Sequence, residues 1–204
     1  MLFERAFSSF SILVIASIAI FLVFSSSSIF AANEVIFDGS HKTESIGPYL
    51  YYLKDENASL TFEDIQSLPT VTDNAPDDAI AWKALEAENI TAGFTKTVYW
   101  VRFTTQNITE KAIPWVLEQY YSPMDYIDLY KPDIDNINVI TGNPEYTQHL
   151  SGDKFPFHQR DIQYRNPAFS LTSHEGEKQT YYIRFSSLGS MTINLKKWPG
   201  HTFA

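Results

Sequence analysis

From Thr95 onward, apolar and polar residues alternate with a period of two, and no stretch of helical period interrupts them. Side chains of a β-strand point alternately to the two faces of a sheet, so this pattern predicts strands. Residues of turn chemistry, such as Gly142, Gly152 and Gly176, separate them. Many short strands without intervening helices predict an all-β fold, an antiparallel sandwich or jelly roll. The predicted strands cover residues 97–106, 113–121, 126–131, 137–141, 166–172, 179–187 and 191–198.

The chain before Thr95 has a different pattern. Residues 49–53 resemble a short strand, and residues 60–65 a short helix. Thr61 is a candidate cap for that helix, with Asp64 three residues later in the capping-box position. Residues 77–88 fit either a helix or an extended chain.

The first 32 residues have the order of a secretory signal. Glu4 and Arg5 precede an apolar run over residues 12–24, and serines and then Ala31 and Ala32 follow. We expect cleavage after one of these two alanines, or alternatively an uncleaved membrane anchor. Either reading places the rest of the chain outside the cytoplasm.

Composition excludes several kinds of site. The chain has no cysteine, which excludes thiol catalysis, cysteine-bound zinc and iron–sulfur clusters and leaves stability to apolar packing. Residues 33–90 contain twelve acidic and three basic residues, whereas residues 91–204 contain eleven of each. An acidic surface of this kind disfavours nucleic acid as a partner.

Two stretches of the predicted sheet are nearly identical. Residues 99–103 and 181–185 both read two aromatic residues, a β-branched residue, Arg and Phe. If the apolar residues of each strand face the core, the opposite face carries arginine, carboxylate and aromatic groups together. Strand phase therefore predicts a ligand-binding set on the outward face: Trp100, Arg102, Glu118, Tyr120, Asp128, Tyr182 and Arg184.

Such a set suits a sugar, because aromatic rings stack on a pyranose while charged groups hydrogen-bond its hydroxyls. An acidic sugar uses the two arginines best. Cross-strand pairing of the arginines with the carboxylates, without any ligand, explains the same residues. A partner-protein or homodimer surface is a third interpretation, since interfaces favour these residue types.

Metal binding and catalysis have weaker signals. Asp125, Asp133 and Asp135 are candidate calcium ligands together with Asp128 and Asn136, although their spacing does not fit an EF-hand. No other cofactor is indicated. The five histidines show no metal-ligand spacing, and no serine lies in a nucleophile elbow. Glu118 and Asp128 are conceivable as a glycosidase pair, but we expect no enzyme activity.

In addition, short segments resemble a known family in their order along the chain. They are residues 52–55 with 60–61, 93–103 with Asn107, 115–118, 126–130, 165–167, 181–185 and 189–192. In this order they resemble the type 2 extracellular domain of bacterial seven-transmembrane receptors with diverse intracellular signalling modules. The resemblance covers residue 46 to the C-terminus.

The resemblance implies a periplasmic jelly roll similar to carbohydrate-binding modules, which acts as the sensor of an inner-membrane receptor. In that family a seven-helix membrane domain and an output module, such as a diguanylate cyclase or histidine kinase, follow the sensor. This chain ends at Ala204, so we expect a fragment of such a receptor. A chain that is naturally complete is expected to be a free-standing carbohydrate-binding module. The expected organisation is a signal over residues 1–32, a linker over residues 33–45 and one sensor domain over residues 46–204.

Overall fold

The computed structural model of the protein describes residues 34–71, 80–139, 142 and 144–203. The predicted signal segment lies outside the described residues. Within these ranges, one α-helix, α1 (Phe62–Ser67), and two turns of 3-10 helix, Gly47–Tyr49 and Phe157–Gln159, accompany the strands. The strands of the described part are β1 (Val35–Phe37), β2 (Glu44–Ser45), β3 (Tyr51–Asp55), β4 (Thr70–Val71), β5 (Trp82–Ala84), β6 (Ile90–Phe94), β7 (Val98–Asn107), β8 (Ile113–Gln119), β9 (Tyr126–Ile137), β10 (Pro144–Ser151), β11 (Ala168–Ser173), β12 (Lys178–Ser186), β13 (Ser190–Ile193) and β14 (Leu195–Pro199).

The strands form two large sheets and one small one. The first sheet has the order β10-β9-β12-β7-β3-β5-β4, and β1 pairs in parallel with the C-terminal end of β7. The second has the order β11-β8-β14-β2, and β13 pairs with β6 separately. Apart from the β1–β7 and β4–β5 pairs, neighbouring strands are antiparallel. The predicted all-β, sandwich-like arrangement is confirmed.

The main core lies between the inner faces of the two large sheets. The predicted inward residues of β7, β9 and β12 are all buried in it, as are Trp115 and Leu117 of β8. The ring of Trp115 contacts Tyr181 edge-on at 5.8 Å and Phe37 at 5.3 Å between centroids. The strand phase read from the sequence is therefore correct for these strands.

A second apolar layer covers the outer face of the first sheet. α1 begins after Thr61, whose hydroxyl accepts a hydrogen bond from the Asp64 backbone N–H while the Asp64 carboxylate accepts one from the Thr61 backbone N–H. This confirms the predicted capping box. A helix of six residues is not stable alone, so packing must hold it. Ile65 is fully buried, and Trp82 donates its indole Nε1–H to the Ile65 carbonyl at 2.9 Å.

Three segments differ from the sequence prediction. The predicted linker contributes β1 and β2, and Val35 and Phe37 of β1 are buried. These strands were not predicted because a segment of two or three residues is too short to show an alternation. β9 continues to Ile137, Asn138 and Val139 belong to no strand, and the polar edge strand β10 pairs with β9; residues 140 and 141 of the predicted strand at 137–141 lie outside the described residues. The predicted strand at 191–198 is interrupted at Asn194, where the chain passes from the small sheet to the second.

Within the described ranges, no helix has the length and apolar character to cross a bilayer.

Candidate functional site

The two mid-strand arginines lie on one face of one sheet. β7 and β12 are hydrogen-bonded neighbours, with Arg102 opposite Tyr182 and Trp100 opposite Arg184. Residues that face each other across a strand pair share a side of the sheet. Asp128 joins the same face, since it lies opposite Arg184 on the other flank of β12. The sequence therefore predicted correctly which side of the sheet these five residues occupy.

The sequence predicted that this face is open to solvent, but in the structure it is largely covered. Trp100 is 1% exposed and Tyr182 7%, because α1 and the segment around Trp82 pack over them. A sheet face that carries several large rings is stabilised when another segment removes those rings from water. Strand phase gives the side of a residue but carries no information about such a cover.

Arg102 is engaged inside this cover. Its guanidinium lies 4.8 Å from the ring centroid of Trp82 and 5.2 Å from that of Tyr51, and it donates a hydrogen bond to the Thr70 hydroxyl. Burial lowers the pKa of Arg102 from its ordinary value, and the neighbouring Tyr182 opposes that change. Cation–π contacts and a hydrogen bond to β4 make Arg102 a clamp between β7 and the strands β3, β5 and β4 of the same sheet.

Arg184 is more accessible and forms an ion pair. Its Nη1 lies 3.6 Å from Oδ2 of Asp128, and its guanidinium lies 5.9 Å from the Trp100 ring centroid. The side chain of Arg184 is 26% exposed and that of Asp128 13%. Burial raises the pKa of Asp128, while Arg184 counteracts the effect. The pair therefore presents one donor and one acceptor group to the adjoining space.

Aromatic rings lie next to this ion pair. Phe62 of α1 stacks on Tyr130 at 4.1 Å between centroids with an interplanar angle of 4°, and it meets Tyr146 edge-on at 5.0 Å. Tyr146 donates its hydroxyl to the Thr180 carbonyl at 3.2 Å, and Gln148 donates to the Tyr130 hydroxyl at 3.3 Å. Burial raises the pKa values of both tyrosines. Both hydroxyls are therefore neutral hydrogen-bonding groups near pH 7.

An open groove of 480 Å³ joins the ion pair and the rings. Trp100 contributes to its wall, and the indole Nε1 of Trp100 is buried without a hydrogen-bond partner among the described residues. A buried donor without a partner costs free energy. The groove is lined by Leu60, Thr61, Phe62, Glu63, Trp100, Asp128, Tyr130, Tyr146, Gln148 and Arg184.

Several residues of this groove were not predicted from the sequence. Tyr130 follows Asp128 by two positions, so strand phase could have found it. Gln148 and Tyr146 belong to the polar edge strand that was not predicted, and Phe62 reaches the groove from a helix distant in sequence.

Glu118 and Tyr120 do not belong to this site, which corrects the predicted set. They lie on or just after β8, in the second sheet, and project from its outer face, away from the first sheet. Glu118 is 1% exposed and accepts hydrogen bonds from Asn166 Nδ2 and Trp198 Nε1, both at 2.7 Å. Tyr120 carries the Lys196 ammonium 3.6 Å above its ring. Each sheet has its own outer face, and phase within single strands does not distinguish the two sheets.

The same separation removes the conceivable glycosidase pair. Glu118 projects from the outer face of the second sheet and Asp128 from that of the first, with the main core between them. A glycosidase needs its two carboxylates on either side of one bond. These two therefore cannot act together.

The calcium candidates are also dispersed. β9 is continuous from Tyr126 to Ile137, and a strand advances about 3.3 Å per residue, so Asp125 and Asp133 lie about 26 Å apart. Asp125 accepts hydrogen bonds from the Leu188 backbone N–H and the Ser187 hydroxyl, and Asp133 accepts one from the Asp135 backbone N–H. The described residues contain no group of three or more His, Cys, Asp or Glu that could hold a metal ion. Proximity in sequence was misleading because the strand does not turn.

Comparison with known proteins gives one result. Residues 47–199 match the sequence profile of the family described as 7TMR-DISM extracellular 2. The match covers the whole region from the first 3-10 turn to the end of β14. No curated protein matches the chain.

Proposed function

Since this chain belongs to the 7TMR-DISM extracellular 2 family, the extracellular sensor domains of seven-transmembrane receptors, we propose that it senses a carbohydrate bound in the groove beside α1. The family places the domain outside the cytoplasm, in the context of a membrane receptor. The proposal concerns the ligand and its location. The full receptor would carry the signal onward through its membrane and output domains.

The observation that carries the proposal is the composition of the groove. An Arg184–Asp128 ion pair lies beside the stacked rings of Phe62 and Tyr130, and the unpartnered indole Nε1 belongs to a residue of the same wall. Sugars are bound by groups of these kinds: ring faces for C–H surfaces, and charged or amide groups for hydroxyls. The ion pair offers a sugar both a donor and an acceptor.

A glycan array probed with the wild-type protein, followed by calorimetric titration of each hit, tests the proposal. Arg184→Ala should weaken binding at least tenfold, since it removes the donor and leaves Asp128 without its counterion. Arg165→Ala is the matched control, because Arg165 is exposed and precedes Asn166, which contacts Glu118 at the second sheet. It should bind like the wild type.

Two results would contradict the proposal. One is a glycan that binds wild type and Arg184→Ala equally, which would place the sugar elsewhere. The other is the absence of any glycan ligand together with a change in sedimentation coefficient in Arg184→Ala, which would identify this face as a dimer surface.

A further inference from the structure

The charges of the groove favour one class of sugar. Its charged lining residues, within the described part of the chain, are Glu63, Asp128 and Arg184. Two carboxylates and one guanidinium give a net charge of −1 when all three are ionised. Asp128 and Arg184 already neutralise each other at 3.6 Å, so Glu63 decides the net sign.

The second arginine does not change this balance. The guanidinium of Arg102 is held by Trp82, Tyr51 and the Thr70 hydroxyl, and none of these three residues lines the groove. An acidic ligand could recruit Arg102 only by breaking those contacts. The sequence expectation that two arginines meet an acidic sugar therefore does not match the geometry.

We infer that the groove selects an uncharged sugar and rejects uronic acids and other anionic sugars; this rests on the proposed carbohydrate function. A hydroxyl group can accept from Arg184 and donate to Asp128 at once, leaving the ion pair in place. A carboxylate can only accept, so it competes with Asp128 for Arg184 and lies near two like charges. The groove therefore discriminates in two ways: it repels the anion, and it hydrogen-bonds the neutral sugar.

The test uses pairs of oligosaccharides that differ only in oxidation at C6. Glucose, galactose and mannose oligomers are titrated beside the matching glucuronic, galacturonic and mannuronic oligomers. In each pair that binds, the neutral member should bind at least about tenfold more tightly at low salt, where charge repulsion is least screened. The preference should shrink as salt concentration rises.

Two substitutions change the charge of the groove. Glu63→Gln, alone and combined with Asp128→Asn, should reduce the preference for the neutral member, and the double variant should bind the uronic member more tightly than wild type does. Glu175→Gln makes the same change of charge in the exposed turn at the opposite end of β12 and should leave the preference unaltered. Salt dependence of the wild type provides the same information should the double variant fail to fold.

The outcomes separate the two proposals. A wild-type protein that binds a uronic oligomer as tightly as its neutral counterpart, or more tightly, overturns this inference and leaves the carbohydrate function standing. A protein that binds no member of any pair and no glycan on the array overturns the carbohydrate function, and this inference with it.

Discussion

Arg102→Ala should destabilise the fold far more than Arg184→Ala, although both arginines occupy the same face of the same sheet. Arg102 makes two cation–π contacts, worth about 0.5–2 kcal/mol each, and one hydrogen bond from a charged donor, worth about 1.5–3 kcal/mol. The side chains freed by the substitution regain conformational entropy, which offsets part of these contributions, so we expect the free energy of unfolding to fall by about 3 kcal/mol. Arg184 makes one partly exposed ion pair at 3.6 Å, worth about 1 kcal/mol or less, and one longer cation–π contact at 5.9 Å from the Trp100 ring, worth about 0.5 kcal/mol.

Unfolding by urea and by heat, both followed by tryptophan fluorescence, measures the two losses of stability. For a domain of this size, about 3 kcal/mol corresponds to a fall in Tm of about 6–12 °C in Arg102→Ala, against at most about 3–6 °C in Arg184→Ala. Ligand affinity should show the opposite order, with the larger effect in Arg184→Ala. Equal losses of stability, or a larger loss in Arg184→Ala, would refute the assignment of Arg102 as the clamp.

Three further predictions concern carboxylates. Glu118→Ala leaves one buried and one partly buried donor without an acceptor and should cost about 2–6 kcal/mol. Glu118→Gln retains one acceptor oxygen and should cost roughly half as much, so equal urea midpoints of the two variants would disprove the two-donor role. Thr61→Ala should cost about 1 kcal/mol. Hydrogen bonds from the Thr61 backbone N–H and hydroxyl lower the pKa of Asp64 from 3.8, so in wild type this stabilisation is present above pH 3.8 and lost as pH falls through the lowered pKa. Thr61→Ala keeps the backbone N–H and removes only the hydroxyl, so the loss should be smaller in its acid melts but not abolished. Burial raises the pKa of Asp128 above 3.8, so its contribution to stability is present below pH 3.8 and lost as pH rises through the raised pKa. Asp128→Asn should remove this dependence of Tm on pH. Tm values of wild type and variant that change in parallel from pH 4 to 7 would contradict the prediction.

The sequence predicted those parts of the fold that depend on local pattern. Alternation identified β7, β9 and β12 and the residues they bury, since the pleat forces side chains to alternate. The capping box at Thr61 was recognised for the same reason, because all its hydrogen bonds lie within four residues.

The parts that depend on contacts between distant segments were not predictable. Which sheet contains β8, and hence that Glu118 faces away from Arg184, follows from the pairing of β8 with β11 and β14. The cover over Trp100 comes from α1, about 35 residues earlier in the chain. The edge strand β10 was not predicted because its mostly polar residues do not alternate with apolar ones.

The central claim is that ligand binds in the groove beside α1. The four tryptophans report on it directly, because each indole N–H gives its own signal in an ¹⁵N-correlated NMR spectrum. Trp100 lines the groove, whereas Trp198 donates to Glu118 at the second sheet and Trp115 lies in the main core. Titration with the tightest-binding glycan should shift the Trp100 signal and leave those of Trp115 and Trp198 in place. A shift of the Trp198 signal with no change at Trp100 would place the binding site on the opposite sheet and contradict the account.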